Sequence, residues 1–204
     1  FVGEIIDYLD GRGVKLVVIA CNTLTVLGVD TLKGSHAFEI VGMSKGAQLV
    51  LAASSRKKIG VFATEFTINS GAHKAAILAA DDGADVYPQA CPKFVPLIEG
   101  EQFDGAEVRA AVAEYAAPLK AAGIDTLILS CTHYPFIQKE IESEFGSEVT
   151  VIDPADATAQ DTKTVLAAEG LLRSEGAGTL EVCFTADVER GARIAGRVLP
   201  QGKC

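Results

Sequence analysis

The sequence predicts an α/β protein whose largely parallel sheets are covered by helices. Apolar runs such as Leu16-Val17-Val18-Ile19 and Thr126-Leu127-Ile128-Leu129 are continuous rather than alternating, the mark of strands buried on both faces. Segments with apolar residues at helical spacing alternate with these runs along the chain. Both runs also end alike, one in Ala20-Cys21-Asn22-Thr23 and the other in Ser130-Cys131-Thr132-His133. Two strands therefore bring two cysteines to carboxyl ends, where ligands bind in such sheets. The pair reads as a weak internal repeat.

Taken in order, Phe1 to Leu9 has helical spacing and stops at Asp10-Gly11-Arg12-Gly13, whose glycines suit a helix end. A strand over Leu16–Ala20 follows, then a helix over Thr25–Leu32 before Lys33-Gly34-Ser35. A short strand, Glu39-Ile40-Val41, leads to Gly42, a candidate crossing point between domains. Ser44 can cap a helix over Ala47–Ala53. The strand Lys58–Ala63 ends in the polar loop Thr64 to Gly71, and a helix over Ala72–Ala80 stops near Asp82-Gly83. Ala84–Tyr87 reads as a strand, and Cys91-Pro92-Lys93 opens the short apolar segment Phe94 to Ile98. Asp104 can cap an alanine-rich helix that Gly123 stops. After the Thr126–Leu129 strand, Pro135 suits the first turn of a helix, where its missing N–H costs little. Val149–Ile152 is a further buried strand, and Asp156–Arg173 a helix. Ser174–Thr179 is a glycine-rich loop, Leu180–Thr185 an edge strand with Cys183 in its core, and Val188–Leu199 a last helix.

Composition narrows the function classes. The chain has 204 residues, 49% hydrophobic and 22% charged, with a net charge of −9. That charge opposes nonspecific nucleic-acid binding, which needs clustered Lys and Arg; the one basic cluster, Arg56-Lys57-Lys58, reads as a solvated loop before a strand. No segment reaches the roughly 20 apolar residues that span a bilayer. Five cysteines, an odd set without a C-x-x-C pair, point to a reducing cytoplasmic setting rather than a disulfide scaffold. No segment resembles a signal, and the first residues already have helical spacing, so the expectation is a natural protein that extends upstream of Phe1.

A thiol acts when ionised, and its pKa falls near a helix N-terminus or a cation. Cys21 and Cys131 both precede helices. Neither has neighbours at the short fixed spacing of a zinc site, so no metal is expected. If the two strand ends face each other across a cleft, beyond the roughly 7 Å that a disulfide tolerates between Cα atoms, one thiolate can remove a proton while the opposite thiol donates one. That suits inversion at a carbon beside a carboxylate, provided that preorganised donors stabilise the carbanion and water is excluded. The loops at Asn22-Thr23, Thr64 to Thr67 and Thr132 can supply such donors. They carry no lysine for a pyridoxal Schiff base and no cofactor fingerprint, so no cofactor is expected.

Ala20-Cys21-Asn22-Thr23 and Cys131-Thr132-His133-Tyr134-Pro135 resemble the two signature motifs of the glutamate racemases, in the aspartate/glutamate racemase superfamily. Ile59-Gly60-Val61 with Thr64, Thr67 and Ser70-Gly71, the stretch Ala90 to Glu99, and Val151-Ile152-Asp153 are similar as well. The resemblance implies two pseudo-symmetric α/β domains, residues 1–42 with 155–204 and residues 43–154, around a cleft. It implies cofactor-independent, two-thiol racemisation of L-glutamate to D-glutamate for bacterial peptidoglycan, hence cell-wall biogenesis and cell shape. The partner is then a small molecule, glutamate, with no nucleic acid and no membrane, and a homodimer is allowed. Carried across, Cys21 and Cys131 are the paired acid and base, and His133 and Glu99 assist proton transfer. Asn22, Thr23, Thr64, Thr67 and Thr132 hold substrate. The sequence departs from the family in lacking the leading Asp-Ser-Gly strand and the Pro-Tyr-Gly loop, and in having Ser44-Lys45-Gly46 where Pro-Gly is usual.

Plainer readings stand beside these. A buried cysteine at a strand end is, by itself, most often a small core residue. His133 can merely cap the following helix, Thr64 and Thr67 can merely cap theirs, and Glu99 can be a solvated helix-end carboxylate. Cys91 reads as packing beside the Pro92 turn, His36 and His73 as surface residues, and Cys204 as a loose terminal thiol. The competing functions are a racemase for aspartate or another amino acid, against which His133-Tyr134-Pro135 argues, and a catalytically silent binding protein of this fold.

Overall fold

The computed structural model describes residues 1–199 except Lys33, Ser35 and Ala177, so Cys204 and part of each of the loops at 33–35 and 174–179 lie outside the described residues. Its elements run α1 (Val2–Gly11), β1 (Leu16–Ile19), α2 (Asn22–Leu32), β2 (Glu39–Gly42), α3 (Ala47–Ala53), β3 (Lys58–Ala63), α4 (Glu65–Asn69), α5 (Ala72–Ala80) and β4 (Asp85–Ala90). Then come α6 (Phe94–Glu99), α7 (Ala106–Ala122), β5 (Thr126–Ser130), α8 (Gln138–Phe145), β6 (Thr150–Ile152), α9 (Ala155–Ala168) and α10 (Val188–Ala195). Two compact units emerge, one from Phe1 to Leu171 and one from Leu172 onward. Among the described residues no helix is long and apolar enough to cross a membrane.

The first unit holds two parallel sheets. One pairs β1 with β2; the other has the order β4-β3-β5-β6. Every residue of β5 is buried, because the strand is central and covered on both faces. Leu127 and Leu129 enter the cluster of Phe62, Phe94, Val112 and Ile141, while Ile128 faces Val50, Val61 and Ile77. Pro88 lies in the edge strand β4, where a missing N–H costs no ladder bond on the open side. β1 departs from the expectation of two buried faces. Val17 and Ile19 pack with Ile6, Val29 and Ile40, but Val18, on the opposite face, is 39% exposed, since strand side chains alternate and that face is incompletely covered.

At the amino end of β5, the buried Asp125 carboxylate accepts from Ser54 Oγ (2.5 Å), Ser55 Oγ (3.2 Å) and the Arg56 amide (2.6 Å). These bonds to the charged form outweigh burial and hold its pKa below the ordinary value. The α3–β3 loop is thereby fastened to the strand that carries Cys131.

Several local expectations change. α7 begins at Ala106 with Gly105 in the cap position and no side-chain cap, so Asp104 does not cap it. Pro135 falls in a 3-10 turn, Tyr134–Ile137, that precedes α8. Residues 180–185 form no strand, because no described strand pairs with them, and Cys183 is exposed rather than core. α9 and α10 end at Ala168 and Ala195, short of the expected Arg173 and Leu199.

The histidines also differ from the surface positions read in the sequence. His36 is half-buried, stacks on Phe38 and lies 3.0 Å from Asp7. His73 is only 3% exposed, and both its ring nitrogens lack a partner. Burial drives its pKa down to about 4, with Lys45 adding to the effect, so the folded protein keeps the imidazole neutral. An unfolded chain protonates it near 6.5. Stability from this site is therefore complete above pH 6.5 and is lost as the pH falls toward 4, by about 2–3 kcal/mol. Urea midpoints at pH 7 and pH 4.5 should show a larger acid loss for the unmodified protein than for His73→Leu; equal losses would remove His73 as the source.

Candidate active site

The parallel sheet sets out the candidate residues at one end. β3, β4 and β5 run in the same direction, so Thr64, Cys91 and Cys131, which follow them, share the carboxyl edge. Cys21 follows β1 at the equivalent place in the smaller sheet. Cys21 is half-buried and Cys131 is 8% exposed, and both are free thiols. Burial pushes the Cys131 thiol above its ordinary pKa and Cys21 adds to this, while the backbone amides of His133 and Tyr134 pull it down. The balance favours the protonated thiol, a competent acid that needs a nearby base to become a nucleophile or base itself.

Such a base lies beside it. His133 Nδ1 is 3.9 Å from Cys131 Sγ, and His133 Nε2 is 2.7 Å from Glu99 Oε1. A carboxylate that accepts from Nε2–H leaves Nδ1 as the acceptor facing the thiol. α6 carries Glu99 to this point. Its first residue, Phe94, is fully buried and meets Tyr115 and Tyr134 edge-on, each with ring centroids 5.1 Å apart. The preceding turn is held at both ends: Tyr134 Oη donates to the Cys91 carbonyl (3.3 Å), and the Lys93 amide donates to Tyr115 Oη (3.2 Å). Cys91 is fully buried in that core.

The two sheets meet through threonines. Thr23 Oγ1 lies 3.0 Å from Thr64 Oγ1 and 3.2 Å from Thr67 Oγ1, and the last two are 3.0 Å apart. Thr64 also caps α4 by accepting from the Thr67 amide, so capping and membership of this hydroxyl cluster coexist. Asn22 is buried with its Nδ2 donor unpaired, a state that costs roughly 1–3 kcal/mol unless an acceptor arrives. Thr132 is exposed and stands outside the three-hydroxyl cluster. Sequence reasoning overlooked Thr25, Tyr115 and Tyr134 as supports, because their bonds run to residues distant in the chain.

Thiols, an imidazole–carboxylate pair and hydroxyl donors at parallel-strand ends define a candidate site for proton transfer at carbon. Residues 2–162 match the family model described as Asp/Glu/hydantoin racemase, and the chain belongs to that family. It is 39% identical over 173 residues to the glutamate racemase of Lysinibacillus sphaericus strain C3-41, an alignment covering 84% of this chain and 65% of that protein. The chain thus spans just under two thirds of that relative. The crystal structure of glutamate racemase isoform RacE1 from Bacillus anthracis superposes with a TM-score of 0.88 at 32% identity, covering 97% of this chain and 74% of that one. That of glutamate racemase from Francisella tularensis, in complex with D-glutamate, gives 0.73 at 30% identity, covering 83% and 63%.

Proposed function

We propose that the protein containing this chain interconverts L- and D-glutamate without a cofactor. The observation that carries the reading is the pair of free thiols at two strand ends whose following loops meet through the hydroxyls of Thr23, Thr64 and Thr67, one of the thiols backed by His133 and Glu99. One thiolate removes the α-proton from one face and the opposite thiol protonates the other, so each turnover uses both. His133, oriented by Glu99, takes or returns the Cys131 proton. Asn22, Thr23, Thr64, Thr67 and Thr132 hold the carboxylate and ammonium groups and stabilise the carbanion, in which preorganised donors matter most. The glutamate bound in the Francisella relative supports this choice of substrate. D-glutamate for bacterial peptidoglycan, a cytoplasmic location and a homodimer complete the reading. So do a first domain of residues 1–42 with 155–204 and a second of 43–154; the packing of α9 on β2 supports grouping residues 155–168 with the first.

The test is to incubate the protein with L-glutamate in D2O and to follow the optical rotation and the α-proton signal. Racemisation with solvent deuterium in the product is expected without added pyridoxal phosphate or metal. Retention of the L configuration under all conditions would end the proposal.

A further inference from the structure

Two threonines outside the candidate site connect the surroundings of both thiols through one short segment, Met43–Gly46, which joins β2 to α3. Thr25 Oγ1 donates to the Cys21 carbonyl (2.8 Å) and accepts from the Met43 amide (2.9 Å). One residue further on, the Ser44 amide donates to Thr158 Oγ1 (3.0 Å), and that hydroxyl also reaches the Pro154 carbonyl (3.1 Å). Pro154 begins the turn after β6, the strand paired with β5. The hydrogen bonds thus run from Cys21 to the connecting segment and on to the neighbour of the strand that carries Cys131. Thr158 is 5% exposed and lies 114 residues from Ser44, so this is a tertiary tie and not only the local bond of a helical threonine to its preceding turn.

The segment is also closely packed at both ends. A Cβ at Gly42 would lie 2.7 Å from Thr25 Cγ2, and one at Gly46 would lie 2.5 Å from Ile128 Cδ1 on β5. Gly46 has φ +62°, a conformation glycine adopts without penalty. The segment therefore touches the helix that follows Cys21 at one end and the strand that precedes Cys131 at the other.

We propose that Thr25 and Thr158 are positioning residues that set the gap between Cys21 and Cys131. The proposal rests on the two-thiol reading above. A substrate carbon held between two thiols is sensitive to their separation, since a misplacement of about 1 Å can cost about 100-fold in rate. Replacing either hydroxyl with a methyl leaves the volume nearly unchanged and frees the segment from one side.

In the full-length protein, Thr25→Val and Thr158→Val should each lower kcat about 10- to 100-fold, with KM moving less than about threefold because the groups that hold substrate stay in place. Thr25→Ser and Thr158→Ser, which keep the hydroxyl, should restore kcat to within about threefold. A second readout is independent of turnover: dibromobimane fluoresces when it bridges two thiols, and bridging of Cys21 to Cys131, located by peptide mapping, should slow in the valine variants and recover in the serine ones. Circular dichroism confirms folding at the assay temperature. Folded valine variants with unchanged kcat and bridging would overturn the proposal, as would failure of the unmodified protein to bridge. If a valine variant does not fold, its serine counterpart decides: a tenfold loss there, with the hydroxyl present, also overturns it. Absence of glutamate racemisation in the unmodified protein would end the functional reading instead, and the bridging rates would still judge the spacing.

Discussion

Cys21→Ser and Cys131→Ser are each expected to reduce racemisation by at least about 10³-fold, in the range of general acid–base contributions. A serine hydroxyl is a far weaker acid than a thiol, so it can neither stand as the anion that removes the α-proton nor release a proton readily to the carbanion. Because the proposed two-thiol mechanism uses one group on each face in every turnover, both directions should fail in both variants. The two variants should still differ. Each retains one thiol, so each should eliminate a good leaving group from one enantiomer of a substrate analogue, and the preferred enantiomer should switch between them. Chiral chromatography of glutamate, with pyruvate-type product release from the analogue, gives both measurements. A variant that racemises glutamate at the normal rate would remove that cysteine from the mechanism.

Phe94→Ala is expected to cost about 3–5 kcal/mol, the range for emptying a buried aromatic site. The ring is fully buried and contacts Phe62, Tyr115 and Tyr134, so no solvent-facing route allows the cavity to close cheaply. The loss should also reach the site, since Phe94 begins the helix that ends at Glu99. With that helix released, the 2.7 Å contact between Glu99 and His133 should loosen and the pH profile of turnover should change, even at temperatures where the variant remains folded. Chemical denaturation and a pH–rate profile check the two parts separately. A loss below about 1 kcal/mol, typical of surface substitutions, would show that the aromatic cluster is not the anchor of α6.

The sequence alone determined the fold class and most of its strands, because a strand buried on both faces must be continuously apolar and little else in a soluble chain is. β3 and β5 were legible on that ground, as were the cysteines at the ends of the apolar runs, since each run stops abruptly at a thiol and small polar residues. The same logic misled at Leu180–Thr185, whose composition suits a strand but which has no described strand to pair with; pairing is a property of two segments and is not written in one. His73 was misplaced for a related reason, because an isolated histidine carries no periodic signal and only the packing of α5 buries it. The resemblance to known motifs grouped Glu99 with His133, and Thr23 with Thr64 and Thr67. The contacts among them depend on how α6 and the two sheets pack. Thr25 and Thr158 lay beyond sequence reading altogether: each resembles any helical threonine until the chain brings Met43 and Ser44 against them. Local pattern follows from hydrophobic burial and backbone geometry, whereas hydrogen bonds between residues distant in the chain form only when packing brings their elements together.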